Sequence, residues 1–406
     1  MPNDFKPQRN TFQETLLALE YEPRQGRPAD IFSRACIASY TEADWTRFGY
    51  FFTQIFEPDV LREVALLEGI PYESLANLSY QPSATLSHLA ELVEEASELP
   101  PVELINLASA LISISRFDVA TRLLDSVSGK ITISREKFEV AWLEFLISNR
   151  CSCGENSPAA FAKMREAIEI GGIPRGRVLD TCTQAVVWYI KRREIPEDAF
   201  TWWVRIGNSL AKAPESNRLD MGTVSSWYRG LAMLPAARGR APETRKFMEL
   251  AREAAEQTIA QRPGAYELNT IKTYYESTMK EHMYVTKNFE AAEEAGHALI
   301  TLDPVWAPSY GELAEVYEFF GRVAQAAELY ERAAEAGPPY WGYHLLRAAR
   351  CQVKSGNDEV ALSHYLTLAE IAPQNASVLQ EGLDVARRLS SASQAQFECK
   401  LNQLEQ

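Results

Sequence analysis

The sequence predicts an all-α protein, an α-solenoid of stacked antiparallel helix pairs with a non-repeat helical region at the N-terminal end. Three observations predict it. Prolines 304, 338 and 373 recur at intervals of 34 and 35 residues. Ala292, Ala326 and Ala361 recur at the same intervals, one ahead of each proline. Between these marks the apolar residues keep helical spacing: Tyr310, Leu313, Ala314 and Tyr317 stand at i, i+3, i+4 and i+7 and form one stripe. A helix pair of this kind cannot bury both faces alone, so it must stack on another.

The elements follow in order. Residues 1–100 lack the repeat and read as a helical N-terminal region. It is interrupted by turn-rich segments at 23–28 and 80–84, with a bulky stripe of Trp45, Phe48, Phe51, Phe52, Ile55 and Phe56 between them. Residues 101–375 read as repeats. Leu107, Ala108 and Leu111, followed by Phe117, Ala120, Leu124 and Val127, match the C-terminal pattern. Over 128–286 the helical stripes persist but the period drifts: prolines 174, 214 and 263 are 40 and 49 residues apart, which predicts longer helices or enlarged turns. Gly321 and Gly356 sit where a turn between helices needs a flexible residue. Residues 376–406, with Leu379, Leu383, Ala386 and Leu389 on one face, read as C-terminal capping helices. Seven to nine helix pairs are expected.

At 46% hydrophobic and 24% charged, the 406 residues hold enough apolar material for a large core, which excludes wholesale disorder. The apolar runs fall far short of the roughly 18 residues of a membrane span, and residues 1–10 do not resemble a signal peptide. Six cysteines are too sparse for a disulfide framework. The expected compartment is the cytoplasm, with no membrane association.

The stretch Tyr310-Gly-Glu-Leu313-Ala314-Glu-Val-Tyr317-Glu-Phe-Phe-Gly321, continuing through Ala326, Tyr330 and Ala333 to Pro338, resembles the tetratricopeptide repeat at nearly every defining position. The resemblance is clearest over 288–373 and near 103–127. The repeat after the best one departs from the pattern, with Gln352 where a large aromatic is expected. The resemblance implies a right-handed superhelix whose first helices line a concave groove, and a function through protein–protein contacts. It implies that Glu312, Glu315 and Glu318 in the best repeat, and Tyr343, Arg347 and Arg350 in the next, face that groove.

Charge narrows the partner. The net charge of −14 argues against a general nucleic-acid binder, whose affinity rests on phosphate contacts. The balance is uneven, however: residues 1–100 carry −9 and residues 175–262 carry +5. In that basic segment Trp188, Trp202, Trp203 and Trp227 are interleaved with Lys191, Arg192, Arg193, Arg205 and Arg229. Aromatic and arginine side chains are enriched at binding hot spots, so this segment is a candidate surface for an acidic or aromatic peptide. Tryptophans at helical spacing also suit a core, and that alternative stands beside it.

Catalytic chemistry is hard to find. Glu294-Ala-Gly-His297 has the spacing of a carboxylate-bridged di-iron ligand pair but lacks its second copy. Cys151-Ser-Cys153 has no second pair to complete a zinc site. Gly171-Gly-Ile-Pro-Arg-Gly176-Arg-Val misses the lysine and hydroxyl of a phosphate-binding loop and reads as a helix-to-helix turn. Ala65, Gly69 and Leu75 fit a helix-turn-helix core, but the would-be recognition helix carries no basic residue. No catalytic residue, cofactor or metal is expected. The function expected is a non-catalytic protein- or peptide-binding scaffold or adaptor. The alternatives are a peptide-sensing regulator, or an enzyme or enzyme accessory built on a helical solenoid.

Overall fold

The structure, a computed structural model, describes residue 93 and residues 95–113, 117–151, 156–192, 197–212, 221–261, 265–302, 304, 307–335, 341–371 and 375–404. The aromatic stripe at 45–56, the helix-turn-helix spacing at 65–75, Cys153 and Arg193 lie outside the described residues. Among the described residues there are sixteen α-helices and no strand, and they follow one another as eight successive pairs. The first five are α1 (Pro101–Ser113) with α2 (Phe117–Ser128), α3 (Ser134–Cys151) with α4 (Ser157–Ile170), α5 (Arg175–Arg192) with α6 (Glu197–Lys212), α7 (Met221–Ala236) with α8 (Ala241–Gln261), and α9 (Ala265–Tyr284) with α10 (Phe289–Leu302). The last three are α11 (Ala307–Phe319) with α12 (Val323–Glu335), α13 (Trp341–Lys354) with α14 (Asp358–Ile371), and α15 (Ala376–Arg388) with α16 (Gln394–Leu404).

The spacing read from the sequence is the spacing of these hairpins. Their first helices begin at Ala307, Trp341 and Ala376, at intervals of 34 and 35 residues. Earlier they begin at Pro101, Ser134, Arg175, Met221 and Ala265, at intervals of 33, 41, 46 and 44. The longer intervals arise largely from longer helices, α8 having 21 residues and α9 having 20. Gly321 and Gly356, at φ 79° and 80°, turn the chain between the helices of their hairpins in a conformation that disfavours other residues. Gly171 and Gly172 do the same between α4 and α5, so the near-miss phosphate loop is a turn.

Two compact units divide the chain, one comprising Ala96–Ile112 with Arg116–Ala295, the other including Gly296–Gln406. In the N-terminal unit a core cluster runs from Phe138 on α3 to Ala254 on α8. First helix packs on first helix, α5 on α7 and α7 on α9, while each of α5 and α7 also packs on its own partner. In the C-terminal unit α11, α12, α13, α14, α15 and α16 pack successively, and α11 also meets α13. Small residues set the close approaches. Gly311 on α11 lies against the His344 ring on α13, where a Cβ would stand 3.0 Å from Nδ1. Buried there, and repelled by the Arg347 charge, His344 has its pKa lowered to about 3, so the ring is neutral.

One buried acid has a testable consequence. Glu281 on α9 has a side chain only 2% exposed, with Arg245 of α8 at 3.1 Å from its Oε2. Burial raises its pKa above the ordinary carboxylate range, against the pull of Arg245. The folded state therefore binds this proton more tightly than the unfolded chain. The resulting stability is fully present below the unfolded pKa and is lost as pH rises through the raised one. Arg245 keeps Glu249 at 3.2 Å when Glu281 is neutral. Glu281→Gln is accordingly expected to be better tolerated at pH 7 than at pH 4, relative to the parent chain. Urea melts at both pH values check this; an unchanged difference between variant and parent would contradict it.

Candidate protein-binding face

The aromatic, basic segment is built by α5, α6 and α7, and burial sorts its residues. Trp188, Trp203 and Trp227 are core residues, at 4%, 1% and 0% exposure. This corrects the expectation that all four tryptophans present a binding surface. The physical reason is angular: the buried rings meet other apolar rings across the stack. Trp188 meets Phe145 at 6.5 Å and Trp203 meets Phe161 at 6.0 Å between centroids. Trp227 fills the space above Gly207. Trp202, one residue and about 100° further round the helix, is only half buried and carries the Arg165 guanidinium 5.0 Å above its ring. Arg229 is half-buried and braces α7 to α9: it donates to the Ser226 hydroxyl at 2.9 Å, and to the Thr273 carbonyl and the Ser277 hydroxyl at 3.4 Å. Lys191 and Arg205 are exposed. Nearby, Arg177 makes a two-point contact with Glu139, at 3.2 and 2.6 Å, and lies 4.5 Å from the Trp142 ring. That residue stands where a phosphate loop would need its lysine, and it is committed to a carboxylate instead.

In the C-terminal unit three of the sequence-predicted groove residues, Glu318, Tyr343 and Arg347, meet one another. On α13 Tyr343, Arg347, Arg350 and Lys354 stand at i, i+4, i+7 and i+11, so they form one stripe. Arg347 Nη2 reaches Glu318 Oε2 on α11 at 2.7 Å, and Lys354 Nζ reaches Glu318 Oε1 at 2.6 Å. The Tyr330 hydroxyl on α12 donates to Oε2 at 3.4 Å. In the other direction Arg350 makes a two-point contact with Glu381 on α15, at 2.8 and 2.7 Å. The same carboxylate accepts from the Tyr365 hydroxyl at 2.8 Å and from Ser377 at 3.1 Å. The basic face of α13 is thus bonded to one carboxylate on α11 and to one on α15. Glu312 and Glu315 are half-buried on α11.

Glu318 and Glu381 are held ionised. Burial alone would raise Glu318, but the hydrogen bonds and charges of Lys354 and Arg347 outweigh it and leave the pKa below the ordinary range. Glu381 follows the same pattern, with burial overcome by Arg350, Tyr365 and Ser377. Cys351, buried beside Glu318, has its thiol pushed up to about 11 by burial and by the Glu318 charge. Gln352, the departure from the repeat pattern, is buried and donates to Glu331 Oε1 at 2.8 Å while accepting from Asn357 at 2.8 Å. His364 meets the same Glu331 oxygen at 2.9 Å.

Sequence reasoning missed Lys354, Tyr330, Glu381 and Tyr365 as members of these clusters. The spacing of Arg347, Arg350 and Lys354 on one helical face is the signal that was there to be read. Among the described residues no group of three His, Cys, Asp or Glu side chains is placed to hold a metal ion. No described helix is long and apolar enough to cross a membrane.

Hairpins of this period, whose first helices stack on one another, define a helical-repeat protein. Residues 309–339 match the family model of the tetratricopeptide repeat, and the hairpin of α11 and α12 is such a repeat. Comparison with curated proteins finds no match. Among solved structures the chain is similar to one titled "Structure of Naa15/Naa10 bound to HypK-THB", at 14% identity and a TM-score of 0.32. That likeness covers 98% of this chain and 60% of the other, so the chain spans about three-fifths of its length.

Proposed function

We propose that the chain is a cytoplasmic, non-catalytic adaptor or scaffold that holds a protein or peptide partner on the first-helix face of its hairpins. The observation that carries this reading is the tetratricopeptide repeat at residues 309–339, set among eight successive helix pairs. Members of that family act mostly through protein–protein contacts, although fold by itself only associates a chain with a role. Two places supply the chemistry for a partner. In the central segment Lys191, Trp202 and Arg205 remain at or near the surface, with Arg192 at the end of α5 and Arg193 beyond it. On α13, Tyr343, Arg347 and Arg350 share one face with Lys354.

The experiment that tests the reading is tagged purification from the native host, with and without nuclease, at low and high salt. A specific protein that survives nuclease supports the adaptor; material lost with nuclease points to nucleic acid; an empty eluate counts against a stable complex. With the partner in hand, charge reversal at Arg192 and Arg193 is expected to weaken binding by about tenfold or more, as for loss of close charge pairs at an interface. Unchanged affinity by calorimetry would remove the central segment from the interface.

A further inference from the structure

The seam between α8 and α9 buries an acid whose charge is poorly met. Tyr274, Thr278 and Glu281 stand at i, i+4 and i+7 on α9 and form one stripe. Arg245 of α8 lies along it: Nη2 donates to the Tyr274 hydroxyl at 3.4 Å, and Nη1 comes within 3.1 Å of Glu281 Oε2. That approach is not aligned as a hydrogen bond, and neither buried oxygen of Glu281 finds a donor among the described residues. Helical side chains lean toward the N-terminal end, so the carboxyl leans over Thr278, whose buried hydroxyl is also without a partner there. One hydroxyl is little for a carboxylate with about four acceptor sites.

The surroundings oppose the charge further. Arg245 already has a carboxylate on its own helix, Glu249, at 3.2 Å from Nε. Burial, and then the like charge of Glu249, raise the pKa of Glu281 against the pull of Arg245. Glu281 also lies in the last turn of α9, at the negative end of the helix dipole. Other charges on the helices packed against α9 are committed elsewhere: Arg229 of α7 to Ser226, Thr273 and Ser277, and Arg252 of α8 to Glu249 and Glu256. His282, next in the chain, feels Arg245 and Glu294 of α10, and its ring bonds the Thr286 hydroxyl.

The same residue anchors the turn that follows. Its backbone carbonyl accepts from Val285 and Thr286 at 2.9 and 3.2 Å, and the His282 carbonyl accepts from Asn288 at 3.0 Å. Within that turn Lys287 takes φ 54°, a left-handed conformation that side chains disfavour. Such a conformation persists only while its surroundings enforce it. We propose that the Glu281 carboxyl is a proton-operated latch on the α8–α9 seam: protonated, it lies neutral beside Arg245 and fixes the end of α9 and the turn after it; ionised, it lets them open. Attraction to Arg245 does not reverse the sign. Desolvating a buried ion pair costs as much as pairing returns unless hydrogen bonds complete it, and here the arginine is shared and the oxygens lack donors. Closure is therefore favoured at low pH, and the advantage is lost as pH rises through the raised value of the closed state.

Hydrogen exchange of the full chain from pH 5 to pH 8, read by mass spectrometry and divided by the intrinsic rate at each pH, tests this. Residues 274–288 are expected to lose protection as pH rises, by up to about tenfold per unit, the slope for one proton. The helices α3 and α4 of the same unit should keep theirs. In Glu281→Gln, which holds the neutral shape at every pH, the slope over 274–288 should vanish. Glu249→Gln, at an exposed position, removes the like charge and leaves Arg245 to Glu281, so the total loss should shrink. This second variant decides the matter if Glu281→Gln fails to reproduce the parental protection at pH 5. Protection over 274–288 that is flat or rising in the parent overturns the latch, as does a slope that survives Glu281→Gln. An equal loss in α3 and α4, or an undiminished loss in Glu249→Gln, overturns it too.

Discussion

Gly207→Ala is expected to lower the stability of the N-terminal unit by about 3 kcal/mol, the upper part of the range for forcing extra atoms into a packed core. A methyl at this position on α6 would stand 2.5 Å from Cζ2 and 2.7 Å from Cζ3 of Trp227 on α7. Real carbon atoms do not approach so closely, and the neighbour is a rigid ring with no exposed surface in which to move. Helix propensity works the other way, since alanine is favoured over glycine in a helix by about 1 kcal/mol. The clash outweighs it. Gly176 on α5 supplies the control, because a Cβ there meets nothing within 4 Å, and its replacement by alanine should be neutral or slightly stabilising. Equilibrium urea unfolding measures both. The mechanism is separately testable: in a Trp227→Leu background the offending ring atoms are gone, and Gly207→Ala should cost far less than in the parent. Additive costs would rule out the clash.

Phe397→Ala is expected to release α16 from the C-terminal unit. Phe397 is fully buried, its ring seated on Gly382, where a Cβ would stand 2.5 Å from Cε1. Truncating a buried phenylalanine costs about 3–5 kcal/mol. The eleven-residue helix packs on α15 and contributes no other buried side chain. Short helices are marginal without tertiary contact, so the loss should appear as local opening and not as global unfolding. Hydrogen exchange should show residues 394–404 losing protection while α11, α12 and α13 keep theirs. The uncovered face of α15 around Gly382 should make the variant self-associate, which light scattering detects. Retained protection in 394–404 would contradict this account of the cap.

What could be read from the sequence divides along physical lines. The period was legible because it is local: a turn glycine such as Gly321 and a closing proline such as Pro304 recur wherever a hairpin of standard length ends. The drift over 128–286 was legible too, because longer helices push the same signals apart. The fate of the tryptophans was harder. Trp202 and Trp203 are adjacent in sequence, and a stripe this dense in apolar residues does not say which of them faces inward. Composition alone marked both as hot-spot material; packing against Phe161 separated them. The ion pairs were the least legible. Glu318 meets residues 29 and 36 positions away, and Arg350 meets one 31 away. Such pairs exist only after one hairpin has stacked on the next, so no window of sequence contains them. The groove glutamates therefore read as charges waiting for a partner, while in the fold Glu318 already has several.

The pairing of α13 with a carboxylate on either side has a consequence for how the C-terminal unit can evolve or be rebuilt. In arrays of near-identical repeats, units can be duplicated, deleted or shuffled with little regard to position. Here α13 bonds backward to Glu318 and forward to Glu381, so its neighbours must both be acidic where it is basic. A second copy of the α13–α14 hairpin would set arginine against arginine, and deletion would set glutamate against glutamate. The order of the modules is written into these pairs, and a grafted or permuted version of this unit keeps its stacking only if they are kept with it.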